Sequence, residues 1–158
     1  MLLFLFLFGL ALGVVCPSDE PQALLQDNNC PMFWSSFNNR CFKYVATRMT
    51  WVDAERHCVS EGANLASIHS LEEQNFVKFL IKNFDPAEAR TWIGLSDIHK
   101  EGTWMWSDGS PANFFYWSKM PNNGKGREHC VLTNYSHEQK WNDFRCSYSC
   151  PFVCLYRN

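Results

Sequence analysis

Eight cysteines, at positions 16, 30, 41, 58, 130, 146, 150 and 154, constrain this chain more than any other feature. No two of them form a Cys-x-x-Cys pair, the spacing of thiolate zinc sites. They stand at or behind residues 1–16, a block of Leu, Phe, Val, Ala and Gly without a charged side chain. That block is shorter than the roughly 20 apolar residues that span a bilayer. It reads as a secretory signal peptide with its apolar segment near residues 2–12. Cysteines behind such a leader form disulfides, so the fold is expected to be stapled as well as packed. A cut after Cys16 leaves seven cysteines, one in excess. The leftover thiol then bridges to a second chain or stays free.

A chain of 158 residues is enough for one domain and little more. Its net charge of −2 and scattered Lys and Arg give no basic footprint for nucleic acid. No second apolar run of spanning length follows the leader, so no membrane span is expected in the mature chain. The sequence contains no nucleophile elbow, phosphate loop or carboxylate dyad, and an enzyme is not expected. The five histidines stand far apart, with no His-x-x-x-His pair, and are read as solvated or capping groups.

Residues 17–29 are polar and read as a flexible N-terminal segment. Residues 30–42 form a hairpin pattern: Phe33, Trp34 and Phe37 precede the turn signal Asn38-Asn39, and Cys41, Phe42, Tyr44 and Val45 follow it. A disulfide between Cys30 and Cys41 would close it. Thr50 caps a helix whose buried face is Trp51, Ala54 and Cys58 and which Gly62 stops. Residues 65–68 read as a short strand-like link. Ser70 and Glu73 form a capping box for a second helix, with Phe76, Val77, Leu80, Ile81 and Phe84 as its buried stripe and Pro86 at its end. Strand patterns follow at 91–95, 102–107, 130–133 and 152–155, separated by an irregular stretch at 110–127. Helices first and strands after is an α+β arrangement.

The end of the chain clusters oxygen-bearing side chains around a proline turn. It runs Met120-Pro121-Asn122, then Glu128-His129-Cys130, then Trp141-Asn142-Asp143, then Cys146 and Cys154. Asn122, Glu128, Asn142 and Asp143 are the hard donors that Ca²⁺ prefers. Together with the Cys30…Cys41 hairpin, the Trp51…Cys58 helix, Trp92-Ile93-Gly94-Leu95 and Trp104-Met105-Trp106-Ser107-Asp108-Gly109, these segments resemble the C-type lectin-like domain family over residues 30–158. The resemblance implies two helices packed on short antiparallel sheets with a long irregular loop region. It implies bridges Cys30–Cys41, Cys58–Cys154 and Cys130–Cys146. Cys150 has no family partner; it is left to Cys16, to a second chain in a homodimer, or to no partner.

The resemblance further implies one Ca²⁺ held by the residues flanking Pro121 and by Glu128, Asn142 and Asp143, with the same side chains binding vicinal sugar hydroxyls. Sugar-binding members carry Glu-Pro-Asn or Gln-Pro-Asp at the turn; this chain carries Met120-Pro121-Asn122. A thioether is a poor ligand for a hard cation, and only Glu128 and Asp143 bring formal charge. The site is therefore expected to be weakened. A cis Met120–Pro121 peptide would aim both flanking residues at the ion. The function expected is a secreted protein recognising glycans, microbial surface sugars above all, with calcium assistance, in innate defence. The alternatives are a calcium-independent protein-interaction module and ice binding, because fish type II antifreeze proteins also resemble this domain. Asn134-Tyr135-Ser136 is an N-glycosylation sequon. Phe114, Phe115, Tyr116 and Trp117 are expected as loop packing or as an apolar rim for a sugar or a partner.

Overall fold

The computed structural model of the protein describes residues 30–121 and 124–157. The leader at 1–16, the segment 17–29, Cys16 and the expected ligand Asn122 lie outside the described residues.

The hairpin expected at the start is present. Strands β1 (Ser35–Phe37) and β2 (Arg40–Met49) pair antiparallel around Asn38 and Asn39, which take positive φ of 48° and 58°. Asparagine tolerates that region because its side chain bonds locally. Helix α1 (Trp51–Ser60) starts where Thr50 accepts the Asp53 N–H, and it buries Trp51, Ala54 and Cys58. Helix α2 (Leu71–Phe84) is capped by Ser70, which accepts the Glu73 N–H at 3.1 Å. Glu73 returns the contact one residue further back, to the His69 N–H at 2.7 Å, and also pairs with Arg40. Between the helices lies β3 (Ala63–Leu65), set earlier than the 65–68 link read from sequence. Asn64 and Leu65 are drawn onto β8 (Cys150–Tyr156), opposite Leu155 and Cys154.

Four further strands follow α2: β4 (Thr91–Ser96), β5 (Met105–Trp106), β6 (Cys130–Tyr135) and β7 (Lys140–Phe144). With β8 they form one sheet in the order β1-β2-β8-β4-β6-β7, with β3 added to β8 and β5 to β4. The expected α+β fold of two helices on short, mostly antiparallel strands is present, and a parallel contact of β4 with β8 at Trp92 and Phe152 joins the strands into one mixed sheet. Sequence reading missed β7, because its residues looked like ligands in a loop.

Two buried clusters flank the sheet. Trp51, Ala54 and Cys58 of α1 pack with Trp92, Leu132 and Phe152. Val77, Leu80 and Ile81 of α2 pack with Ile93, Leu95, Trp106 and Trp141. Phe84, expected in the buried stripe, is 66% exposed and stacks on Tyr44 instead. It sits at the last residue of α2, next to the C-cap. Gly94 admits no side chain: a Cβ there would stand 2.5 Å from the Leu65 carbonyl oxygen and 2.9 Å from Ser107 Oγ.

All three implied bridges form: Cys30–Cys41, Cys58–Cys154 and Cys130–Cys146. Cys58–Cys154 encloses 96 residues, and a loop of that size stabilises by about 4–5 kcal/mol on the chain-entropy account. Cys150 is free and buried, paired in the sheet opposite Met49. Burial pushes its thiol pKa up, partly offset by Arg48 and Arg90.

Candidate functional site

Trp141 is the post on which the long loop hangs. It is fully buried in β7, and its indole N–H donates to Gln74 Oε1 at 2.7 Å while Gln74 Nε2 donates to Thr133 Oγ1 at 3.1 Å. The loop is laced to the same residue through its backbone. The Ser118 N–H donates to the Trp141 carbonyl and the Trp141 N–H to the Tyr116 carbonyl, each at 2.8 Å. Phe114, Trp117 and Trp106 present edge-on contacts to its ring. Most of the aromatic run at 114–117 is therefore packing. Phe115 is the exception: it is exposed, and it lies parallel to the Trp117 ring at 6.0 Å.

Beyond Trp117 the loop opens into a cavity of about 380 Å³ lined by Lys119, Met120, Gly124, Glu128, Tyr135 and Asn142 among others. Gly124 takes a φ of +52°, and a Cβ on it would lie 2.5 Å from the Glu128 carboxyl carbon. A side chain at this position would be strained by the positive φ and would push the Glu128 carboxylate aside. Burial, and then the negative charge of Asp143, raise the Glu128 pKa above its ordinary value, with Arg145 opposing. Asn142 and Asp143 are neighbours on β7, so they leave the strand toward opposite faces. Asn142 lines the cavity, and Asp143 is buried yet close enough to act on Glu128. The Asn142 amide nitrogen donates to the Asp143 carbonyl, which leaves its amide oxygen as the remaining donor atom.

Of the four residues expected to hold a cation, Glu128 and Asn142 line one cavity, Asp143 is buried beside it and acts on Glu128 through its charge, and Asn122 lies outside the described residues. The chemistry of the three fits a hard ion: two carboxylates that repel each other and one amide oxygen. Met120 does not complete the set, being 84% exposed and without an oxygen in its side chain. The Met120–Pro121 peptide, expected cis, is trans; no cis bond occurs among the described residues.

Two further expectations are corrected. Asn134 is 5% exposed, and both polar atoms of its side chain are buried without a hydrogen-bond partner. The expected loop setting of the sequon is not found: Asn134 and Tyr135 end β6, and only Ser136 lies in the following turn. Sequence spacing also gave no histidine a metal-type partner, whereas the fold gives His129 two. Its Nδ1 lies 2.9 Å from Asp97 Oδ1 and 3.4 Å from Glu101 Oε2. The Asp97 hydrogen bond raises the His129 pKa; burial opposes, and the Gly126 carbonyl and both carboxylate charges add to the rise. The sequence signal was the Asp97 and Glu101 pair, four residues apart on one turn.

Comparison with known proteins fixes the lineage of this arrangement. The family description "Lectin C-type domain" matches residues 47–156. The chain belongs to the C-type lectin domain family. Ladderlectin of Oncorhynchus mykiss is 41% identical over 151 residues, covering 95% of this chain and 80% of that protein. The galactose-specific lectin nattectin of Thalassophryne nattereri is 41% identical over 128 residues, covering 80% of each. Among solved structures, a calcium-independent type II antifreeze protein matches with a TM-score of 0.72 and 36% identity, over 80% of this chain and 92% of that one. Both relatives are named as lectins. Within this C-type lectin domain, no helix of the described residues is long and apolar enough to cross a membrane.

Proposed function

We propose that this protein is a secreted lectin that binds carbohydrate in the cavity between the 119–128 loop and β7, with calcium assistance. The observation that carries the reading is that Glu128 and Asn142 line one cavity while the charge of the neighbouring Asp143 acts on Glu128. Glu128, Asn142 and Asp143, with Asn122, would hold the ion. Bound calcium would supply a positive centre for two vicinal sugar hydroxyls and relieve the repulsion between Glu128 and Asp143. Glu128 and Asn142 orient the sugar by hydrogen bonds, Gly124 keeps the carboxylate at its post, and the exposed Phe115 face offers apolar surface nearby. With Met120 contributing no oxygen, calcium affinity falls toward the millimolar end of protein sites. The glycans are microbial surface sugars and the setting is innate defence; the likeness to ladderlectin and nattectin supports the carbohydrate part of this reading. A glycan array probed with and without chelator tests it. Retention on sugar that a chelator releases is the expected result; binding of no glycan under either condition would refute it.

Ice binding is the second reading, favoured by the likeness to the calcium-independent type II antifreeze protein. Thermal hysteresis with shaped ice crystals, in the absence of any sugar retention, would establish it. A homodimer bridged through Cys150 forms no part of either reading, since its sulfur is in the core.

A further inference from the structure

Met120 carries the one sulfur among the described residues that line the cavity of Glu128 and Asn142, and its side chain stands in open solvent. A methionine sulfur so placed is within reach of peroxides, which convert it to the sulfoxide. The other described methionines differ in setting. Met49 packs against the cluster of α1 and β8. Met32 is exposed, but the cavity it lines, formed by residues 30–36, holds no carboxylate. Met105 is half exposed beside Glu55, whose carboxylate already holds the Leu65 N–H and Ser107 Oγ. Met120 is the methionine that shares a cavity with two of the residues read as cation ligands. Oxidation would change this position in the direction the cavity lacks. The thioether is soft and a poor partner for a hard cation. Its sulfoxide carries an oxygen on a strongly polarised S–O bond. That oxygen is a hard donor of the kind calcium takes. Three rotatable bonds let the sulfur swing toward Glu128 and Asn142. The exposed side chain has room for the added atom, whereas a polar oxygen on a core methionine disrupts its neighbours.

We propose that Met120 is a peroxide-responsive modification site whose sulfoxide adds the missing donor and tightens calcium binding, an inference that rests on the calcium reading of this cavity. The Sδ lone pair attacks one oxygen of hydrogen peroxide. The S–O bond forms as the O–O bond breaks. The departing hydroxide takes the proton from the transferred oxygen and leaves as water. Sulfur loses an electron pair and the peroxide gains it. The added donor is neutral, so its gain falls short of that from a carboxylate at the same position.

The full chain carrying Met32→Leu and Met105→Leu is treated with hydrogen peroxide, and peptide mass mapping locates each added oxygen. Treated and untreated protein are then titrated with CaCl₂ by calorimetry. Met120 should take up oxygen at least about tenfold faster than Met49. Calcium affinity should rise by about threefold or more once Met120 is oxidised. Met120→Leu should lose this response to peroxide. Met120→Gln, whose carbonyl oxygen stands on the same δ atom as the sulfoxide oxygen, should reproduce the gain without peroxide. Oxidation of Met120 no faster than that of Met49 overturns the proposal. So does a gain that survives Met120→Leu. Calcium binding by untreated protein with no gain at complete Met120 oxidation sinks the proposal and spares the calcium reading. Binding by no form, Met120→Glu included, sinks both.

Discussion

The region around α1 and β8 and the loop that frames the cavity are built in opposite ways. The first is fastened through many independent links. Cys58–Cys154 ties the helix to the strand, and the Trp51 indole donates to the Ile93 carbonyl at 2.9 Å. The Glu55 carboxylate holds both the Leu65 N–H and Ser107 Oγ. The loop, by contrast, hangs from Trp141 at one end and from the Cys130 bridge just beyond the other, with Met120 and residues 125–127 in solvent between. The cavity therefore has one stiff wall, β7, and one adaptable wall. Loops carried on a rigid frame are the usual seat of recognition, because the frame absorbs the cost of ordering.

The largest effect should come from the stiff region. Replacing Cys58 and Cys154 together by Ala should remove about 4–5 kcal/mol of stability in guanidinium denaturation. Met120→Ala should change it by less than about 0.5 kcal/mol. Comparable losses from the two would break the contrast. Next comes the joint between the regions. Gln74→Met strips buried partners from Trp141 and Thr133 and should lose on the order of 2–3 kcal/mol, while tryptophan emission reports a changed environment at Trp141. A loss below that of a surface substitution would mean that the loop is not hung from this residue. In the adaptable wall, Met120→Glu should raise calcium affinity by about tenfold or more through its added charge. Tryptophan fluorescence during calcium titration and retention on mannose resin read the gain; an unchanged affinity would place residue 120 outside the site.

The smallest effect is a pH step. Burial pushes the Asp108 carboxyl up, but hydrogen bonds from Ser110 and Ser67, with His69 nearby, outweigh it and hold the pKa below its ordinary value. A depressed carboxylate pKa contributes stability that is present above the unfolded value of about 3.9 and is lost as pH falls through the folded value. Asp108→Asn should abolish that acid step, and an unaltered acid limb of the stability profile would show that Asp108 does not cause it.

Much of the stiff region was legible in the residues. The Asn38-Asn39 turn, the Thr50 and Ser70 caps and the cysteine partners each depend on local chemistry or on matched segments, and each appears where expected. The adaptable region was less legible, for three physical reasons. Asn142 and Asp143 carry ligand chemistry, which concealed the period-two alternation of β7, where Trp141 and Asp143 are buried and Asn142 is not. Asn134 looks like a solvated sequon, yet the bulge between Leu132 and Tyr135 turns it inward. The Asp97, Glu101 and His129 cluster exists only because the Asp97 N–H donates to the His129 carbonyl, a contact between distant segments that no local spacing announces.

The placement of Cys150 has a consequence for how the molecule oxidises. Disulfide exchange needs a thiolate that can reach a cystine sulfur. Cys150 and Cys154 share strand β8, so a reactive sulfur would travel beside the bridge that closes the longest loop in the protein. Sheltered against Met49 and held protonated, the lone sulfur is a spectator, and docking of β2 on β8 is the event that protects the cross-link from being scrambled.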